Sequence, residues 1–245
     1  MIKFNVIVAD PPFSFSDRLT MSDVKRGAEA NYSVLSGQDI VDLDVKSIAA
    51  DDSVLALWVP SSMISLGLQI MEAWGFEQTQ TFVWAKTKKR ENIFEPLKSE
   101  IRQIIKHNKD TYIDKSNSDI YNDISELLDA FDFNGMLSFG MGRLFRQAHE
   151  IVLIGKRGKP YGVLNNKSQR SVILDMPGKH SVKPEGLQNR LDLMFPGGNK
   201  LELFARRQIP KWWCVGNEAP MTMGQDIKKS LLRLRGLSES EINLI

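Results

Sequence analysis

The chain has 245 residues, 42% of them apolar, and a formal net charge of +2, enough for one large domain or one domain carrying an insertion. Its single cysteine, Cys214, excludes a disulfide framework within the chain and points to a reducing compartment. No apolar run approaches the ~18–20 residues of a membrane helix, and the overall charge demands no polyanionic partner.

Residues 3–9 (KFNVIVA) read as a short buried strand, and two prolines stop it at Asp10-Pro11-Pro12-Phe13. No signal peptide is expected before a strand that starts at once. Residues 53–59 (SVLALWV) form a second strand, halted by Pro60, and residues 61–74 follow with Met63, Ile64, Leu68, Met71 and Trp74 at helical spacing, closed by Gly75. Residues 79–85 are a third strand. Residues 149–154 (HEIVLI) are a fourth and 171–174 a fifth. Pro184 opens a helix carrying Leu187, Leu191, Met194 and Phe195, and the Pro196-Gly197-Gly198 turn leads to a strand at 200–205 and another at 212–215. Apolar strands alternating with helices predict a mainly parallel sheet with helices on both faces.

Residues 88–135 break this rhythm. Leu97, Ile101, Ile104 and Ile105 make one helical stripe, and Ile120, Ile124, Leu127, Leu128 and Phe131 make another. The spacing predicts an inserted helical hairpin. It is read either as a surface excursion or as a lid or target-recognition element. A last helix is expected at 225–234, in a C-terminal stretch whose residues 200–235 hold eight Lys/Arg against three Asp/Glu. The expected layout is a domain over 1–220, interrupted by the 88–135 insertion, with a helical tail over 221–245.

The Asp10-Pro11-Pro12-Phe13 turn has a chemical reading. Ligands of open parallel sheets bind beyond the carboxyl ends of the strands. Proline fixes φ and has no N–H, so the turn is stiff, while its carbonyls remain acceptors. A carboxylate and a proline carbonyl held side by side would clamp a planar amino group such as the 6-amino group of adenine, and Phe13 would offer a flat face to the base. The lone pair of such an amine is delocalised into its ring. Holding both N–H groups favours the geometry in which it points at an electrophile. The same four residues also make an ordinary turn, so the chemistry needs further residues to support it.

Those residues form a series. After DPPF come NYSVLS (31–36), LALWVPS (55–61), WGF (74–76), VWAKT (83–87), GRLFRQAHEIVLIGKRG (142–158), HSVKPEGLQNRLDLMFPGGNKLELFAR (180–206) and WCVGNE (213–218). In kind and order these blocks resemble the adenine-methylating family named for the seventy-kilodalton mRNA methyltransferase subunit, over residues 5–87 and 136–220. The resemblance implies a Rossmann-like α/β fold, S-adenosyl-L-methionine as cofactor, no metal, and transfer to the 6-amino group of adenine. It implies that Asp10, Pro11, Pro12 and Phe13 are the catalytic turn, and that Ala9, Asp10, Lys86, His180, Asn217 and Glu218 hold the cofactor. Lys86 would pair with its carboxylate, and Asn217 and Glu218 with its ribose. Tyr32, Arg143, His149 and Lys183 would contact the substrate. Phe13 stands where the family usually has Trp, which keeps a stacking face but loses area and an N–H donor.

DNA is the expected partner, by analogy with small cytoplasmic members from bacteria, including restriction-modification enzymes, and from phages. A homo- or heterodimer is compatible with the resemblance. Three other readings stay open at this level: the same reaction on RNA, a non-catalytic nucleic-acid-binding subunit, and an α/β nucleotide-binding domain without transfer. Degenerate subunits of the family lose the acidic residue of the clamp, and Asp10 is present here.

Overall fold

FNVIVA is apolar on both of its faces, and the strand it forms, β1 (Phe4–Ala9), is buried along almost its whole length. A strand of that kind requires cover on both sides and neighbours on both edges. The computed structural model, which describes residues 2–13, 35–110, 116–140, 142, 144–178, 182–216, 219 and 226–243, supplies both. β1 pairs in parallel with β2 (Ala49–Val59) on one edge and with β6 (Lys200–Leu203) on the other, and β6 pairs in parallel with β7 (Trp213–Val215). β3 (Glu77–Lys86), β4 (His149–Arg157) and β5 (Val172–Asp175) complete a seven-stranded sheet in the order β5-β3-β4-β2-β1-β6-β7.

The fold is the Rossmann-like α/β architecture expected, with one refinement. β4 runs antiparallel to β2 over seven paired positions, Ser53 to Arg157 through Val59 to Ile151, so the sheet is mixed although mostly parallel. Burial on both faces makes parallel and antiparallel strands equally apolar, so a pattern of burial does not distinguish them.

The helices are α1 (Gly37–Val41), α2 (Ile64–Ala73), α3 (Arg90–Asp110), α4 (Asn117–Asp129), α5 (Gly186–Met194), α6 (Ile227–Leu234) and α7 (Glu239–Ile242). α1 and α7 had no counterpart in the expected elements, being five and four residues long, too short to show a period. Both start at a serine whose hydroxyl accepts a backbone N–H, Ser36 from Asp39 and Ser238 from Glu241. No helix among the described residues is long and apolar enough to cross a membrane.

The chain divides into two compact units: residues 1–83, 150–173 and 185–245, and residues 84–149 with 174–184. The first holds the core, in which Ile7, Leu55, Leu57, Ile70, Trp74, Leu201 and Leu203 are all but sealed from solvent. The buried indole N–H of Trp74 donates to the Ile40 carbonyl at 3.1 Å, which satisfies the one polar atom that would otherwise be stranded there. α6 contributes Leu231 and Leu234 to this core. The second unit contains α3 and α4. Ser116 and Asp119 form a reciprocal capping box that starts α4.

Candidate active site

β1 delivers Asp10. Its N–H donates to Leu203 O at 3.4 Å, the last contact of the β1–β6 ladder, and the prolines then stop the pairing. The Phe13 N–H turns back to Pro11 O at 2.9 Å, and Phe13 bridges in parallel to Leu35. The turn therefore closes on itself over three residues. Asp10 and Pro12 are half-buried, Pro11 and Phe13 buried.

Two expectations meet a different geometry. Phe13 is 5% exposed and belongs to the core cluster, so its ring is not an open face for a base. An apolar ring one turn beyond a buried strand gains more from core contact than from water. Ala9 is fully buried in the same cluster and paired to Leu57 and Leu203, so its methyl group faces the core.

Beside Asp10 stands a group to which sequence reasoning gave no role. Glu202 lies on β6 opposite Val8, is 9% exposed, and has a buried carboxyl oxygen, Oε2, with no hydrogen-bond partner among the described residues. Burial pushes its carboxyl up to about 7. The Arg207 guanidinium and the Gln188 side chain pull it down, and the negative charges of Asp10 and Glu185 push it further up. Gln188 comes from α5 and is itself buried. A signal for this cluster existed: in KLELFA a glutamate interrupts a strand that is apolar on both faces, and a charge there must be paired or neutralised. At the start of β6, Lys200 Nζ meets Asp192 Oδ1 at 2.5 Å, and the Trp212 indole N–H donates to the same oxygen at 3.1 Å. That arrangement compensates a lysine that is 5% exposed.

In the second unit, Lys86 ends β3. Its N–H donates to Ala148 O and its carbonyl accepts from the Ser138 N–H, both at 2.8 Å. Its ammonium lies 4.9 Å above the ring of Trp84, whose indole N–H donates to Asp175 O at 3.0 Å. A half-buried cation is thus carried on a backbone held from both sides. His149, the first residue of β4, is half-buried, and the Gln147 amide donates to its carbonyl at 3.1 Å. Lys183 is half-buried shortly before α5. Tyr32, Arg143, His180, Asn217 and Glu218 lie outside the described residues.

The donor set can be compared with what S-adenosyl-L-methionine requires: an acceptor for its ammonium, a cation for its carboxylate and polar partners for its ribose. Lys86 has the second of these chemistries at a strand end and is not sealed from solvent. The residues present fit the group on that count.

Several known proteins resemble the chain. Over 233 residues it is 27% identical to the Type II methyltransferase M.MunI of a Mycoplasma species, an alignment covering 89% of this chain and 78% of that protein. It is 23% identical over 218 residues to the human N(6)-adenosine-methyltransferase catalytic subunit METTL3, covering 88% of this chain but 28% of that protein. A similar likeness holds for the N(6)-adenosine-methyltransferase MT-A70-like protein of Drosophila melanogaster, at 23% identity, 88% of this chain and 27% of that one. The chain thus spans little more than a quarter of the length of these last two relatives. The MT-A70 family matches residues 4–128 and 131–218, running on through α3 and into α4, which the motif blocks do not cover. With the match extending over most of the sequence, the chain belongs to the MT-A70 family of methyltransferases.

Proposed function

We propose that this protein transfers a methyl group from S-adenosyl-L-methionine to the 6-amino group of adenine in DNA. The observation that carries the reading is the turn at the end of β1, closed by the Phe13 N–H on Pro11 O with Asp10 intact before it, in a member of this family. The likeness to M.MunI, named a Type II methyltransferase, supports a restriction-modification setting and action in the cytoplasm of a bacterial or phage-infected cell.

When bound, the cofactor supplies an electrophilic methyl group on a sulfonium. Asp10 accepts one N–H of the target amine. The Pro11 carbonyl commits one lone pair to the Phe13 N–H and keeps its second for the other amine N–H. This pairing turns the nitrogen lone pair out of the base plane. The Asp10 carboxylate would take the proton that the nitrogen sheds as its bond to the methyl carbon forms and the methyl–sulfur bond breaks. Most of the remaining barrier is lowered by placement, since reactants held ~3–3.5 Å apart need little further ordering. In this reading Lys86 pairs with the cofactor carboxylate, Asn217 and Glu218 with its ribose, and His180 lies beside it. Tyr32, Arg143, His149 and Lys183 face the substrate, and the helical segment 88–135 serves as lid or target-recognition element.

A second reading, the same transfer to RNA, is favoured by the likeness to proteins named N(6)-adenosine-methyltransferases. Incubation with labelled cofactor and either DNA or RNA, followed by mass spectrometry of the nucleosides, separates the two. N6-methyldeoxyadenosine is the expected product. N6-methyladenosine alone would favour the second reading, and neither product would overturn both.

A further inference from the structure

The segment 138–148 is a loop that stands on one residue. Its first limb is tied by the Ser138 N–H to the Lys86 carbonyl and its second by Ala148 O to the Lys86 N–H, both at 2.8 Å, while Thr87 bridges to Leu137 just outside. Its feet are therefore fixed to the end of a strand. Its limbs also run too close together for side chains at two positions. A Cβ at Gly142 would collide with the Phe145 carbonyl oxygen, and one at Gly140 with that of Gln147. Near the base, the Arg146 guanidinium stacks 4.6 Å over the Phe139 ring.

What this mount presents is unusual. Leu144 is 94% exposed and Phe145 86%, adjacent large apolar side chains standing in water at the tip. Phe139 below them is 77% exposed. Isolated exposed apolar residues are ordinary, but an adjacent pair of them on a loop with anchored feet marks a contact surface. Charge indicates the kind of partner. From Met136 to Ala148 the sequence has no Asp or Glu, and arginines at 143 and 146 bracket the two apolar residues. An apolar tip in a stretch whose sequence carries arginines and no acid suits the inside of a base stack flanked by phosphates better than the apolar face of another protein.

We propose that the 138–148 loop is a wedge that inserts Leu144 and Phe145 into duplex DNA, filling the space left when the target adenine rotates out of the stack. The inference rests on the function proposed above. A stacked and paired adenine cannot offer its amino group to a turn at a strand end, so a duplex-modifying enzyme must bear the cost of unstacking it. Apolar side chains inserted between base steps meet that cost by replacing lost stacking contacts. The two backbone bonds to Lys86 fix the feet of the loop that carries the tip.

The test compares the wild-type protein with the Leu144→Ala/Phe145→Ala double variant on one mapped target adenine, placed in a full duplex, in a duplex with an abasic site opposite it, and in a single strand. Both side chains are solvent-exposed, and calorimetry with S-adenosylhomocysteine checks that the fold is intact. The double variant should lose about tenfold or more of its rate on the full duplex and stay within about twofold on the other two substrates, where little stacking has to be broken. With 2-aminopurine in place of the target adenine, the rise in fluorescence on duplex binding should disappear in the double variant and persist in Phe145→Trp. Equal loss on all three substrates, or no loss, overturns the wedge. So does a change of oligomeric state without selective loss on the duplex, which would make the loop a protein contact. A wild-type enzyme that methylates only single strands leaves the chemistry standing and overturns the wedge alone. One that methylates no nucleic acid overturns the proposed function and the wedge with it.

Discussion

Lys86 holds its ammonium 4.9 Å above the ring of Trp84, two residues earlier on the same strand and so on the same face. The indole is fixed by its N–H to Asp175 O, and the Lys86 backbone is bonded on both sides. The cation is thus placed before any ligand arrives, and less side-chain entropy is lost when an anion binds. Lys86→Ala should weaken S-adenosylhomocysteine by ~10–100-fold in calorimetry, the usual range for losing a charged hydrogen-bond partner. Trp84→Phe keeps a ring but not the indole anchor, and should cost less. Unchanged affinity in Lys86→Ala would remove the lysine from the cofactor site.

Asp10 differs in kind, because its main task falls in the methyl-transfer step. Asp10→Ala should lower turnover by ~10²–10⁴, the range for losing a positioned general base, with S-adenosylhomocysteine affinity largely kept. Asp10→Asn retains an acceptor oxygen and should fall less far. Near-normal turnover of the alanine variant, measured as label transferred to DNA, would reject the clamp.

Much of this was legible in the residues. Apolar runs marked β1, β2, β4 and β6, and the motif series led to the family. What escaped was what a linear pattern does not encode. The antiparallel course of β4 leaves no trace in burial. The fate of the Phe13 ring depends on a core assembled from distant segments, including Leu203 and Val215. Glu202 was visible as a charge in an apolar strand, but its neighbours Gln188 and Arg207 lie 14 residues before it and five after it, outside any window of periodicity.

The α3–α4 pair occupies the stretch assigned to target recognition. Replacing residues 90–129 with a short linker should change substrate affinity or sequence preference more than affinity for S-adenosylhomocysteine. Gel-shift titration and sequencing of methylated sites read the first two. Identical affinity and preference would reduce the pair to a surface excursion.

α6 tests a different expectation, that residues beyond 220 form a tail. Leu231 and Leu234 are buried in the main core, and Arg235 meets Asp44 at 3.1 Å. Removing one of these leucines deletes core contacts. Leu231→Ala should therefore lower the free energy of unfolding by ~2–5 kcal/mol, measured by urea denaturation. A loss below ~0.5 kcal/mol, as for an ordinary surface site, would mean that α6 is not part of the cooperative core.

Glu202 should make stability depend on pH in the direction opposite to an ion-paired carboxylate. Burial raises its pKa in the folded chain from 4.5 to about 7, so between those values the folded protein keeps a proton that the unfolded chain has released. Stability from this group is complete below 4.5, falls as pH rises through the window, and levels off above about 7. At about 1.4 kcal/mol per unit, the fall is on the order of 3 kcal/mol. Glu202→Gln keeps the shape without the titrating proton and should flatten this part of the profile, leaving the variant more stable than wild type above about pH 7. Its activity carries a second readout. Ionised Glu202 adds a negative charge near Asp10, beside the turn proposed to hold the target amine. The pH–rate profile of Glu202→Gln should therefore lose an inflection near neutrality. Parallel stability profiles and unchanged rate profiles in the two proteins would show that the carboxyl does not titrate there.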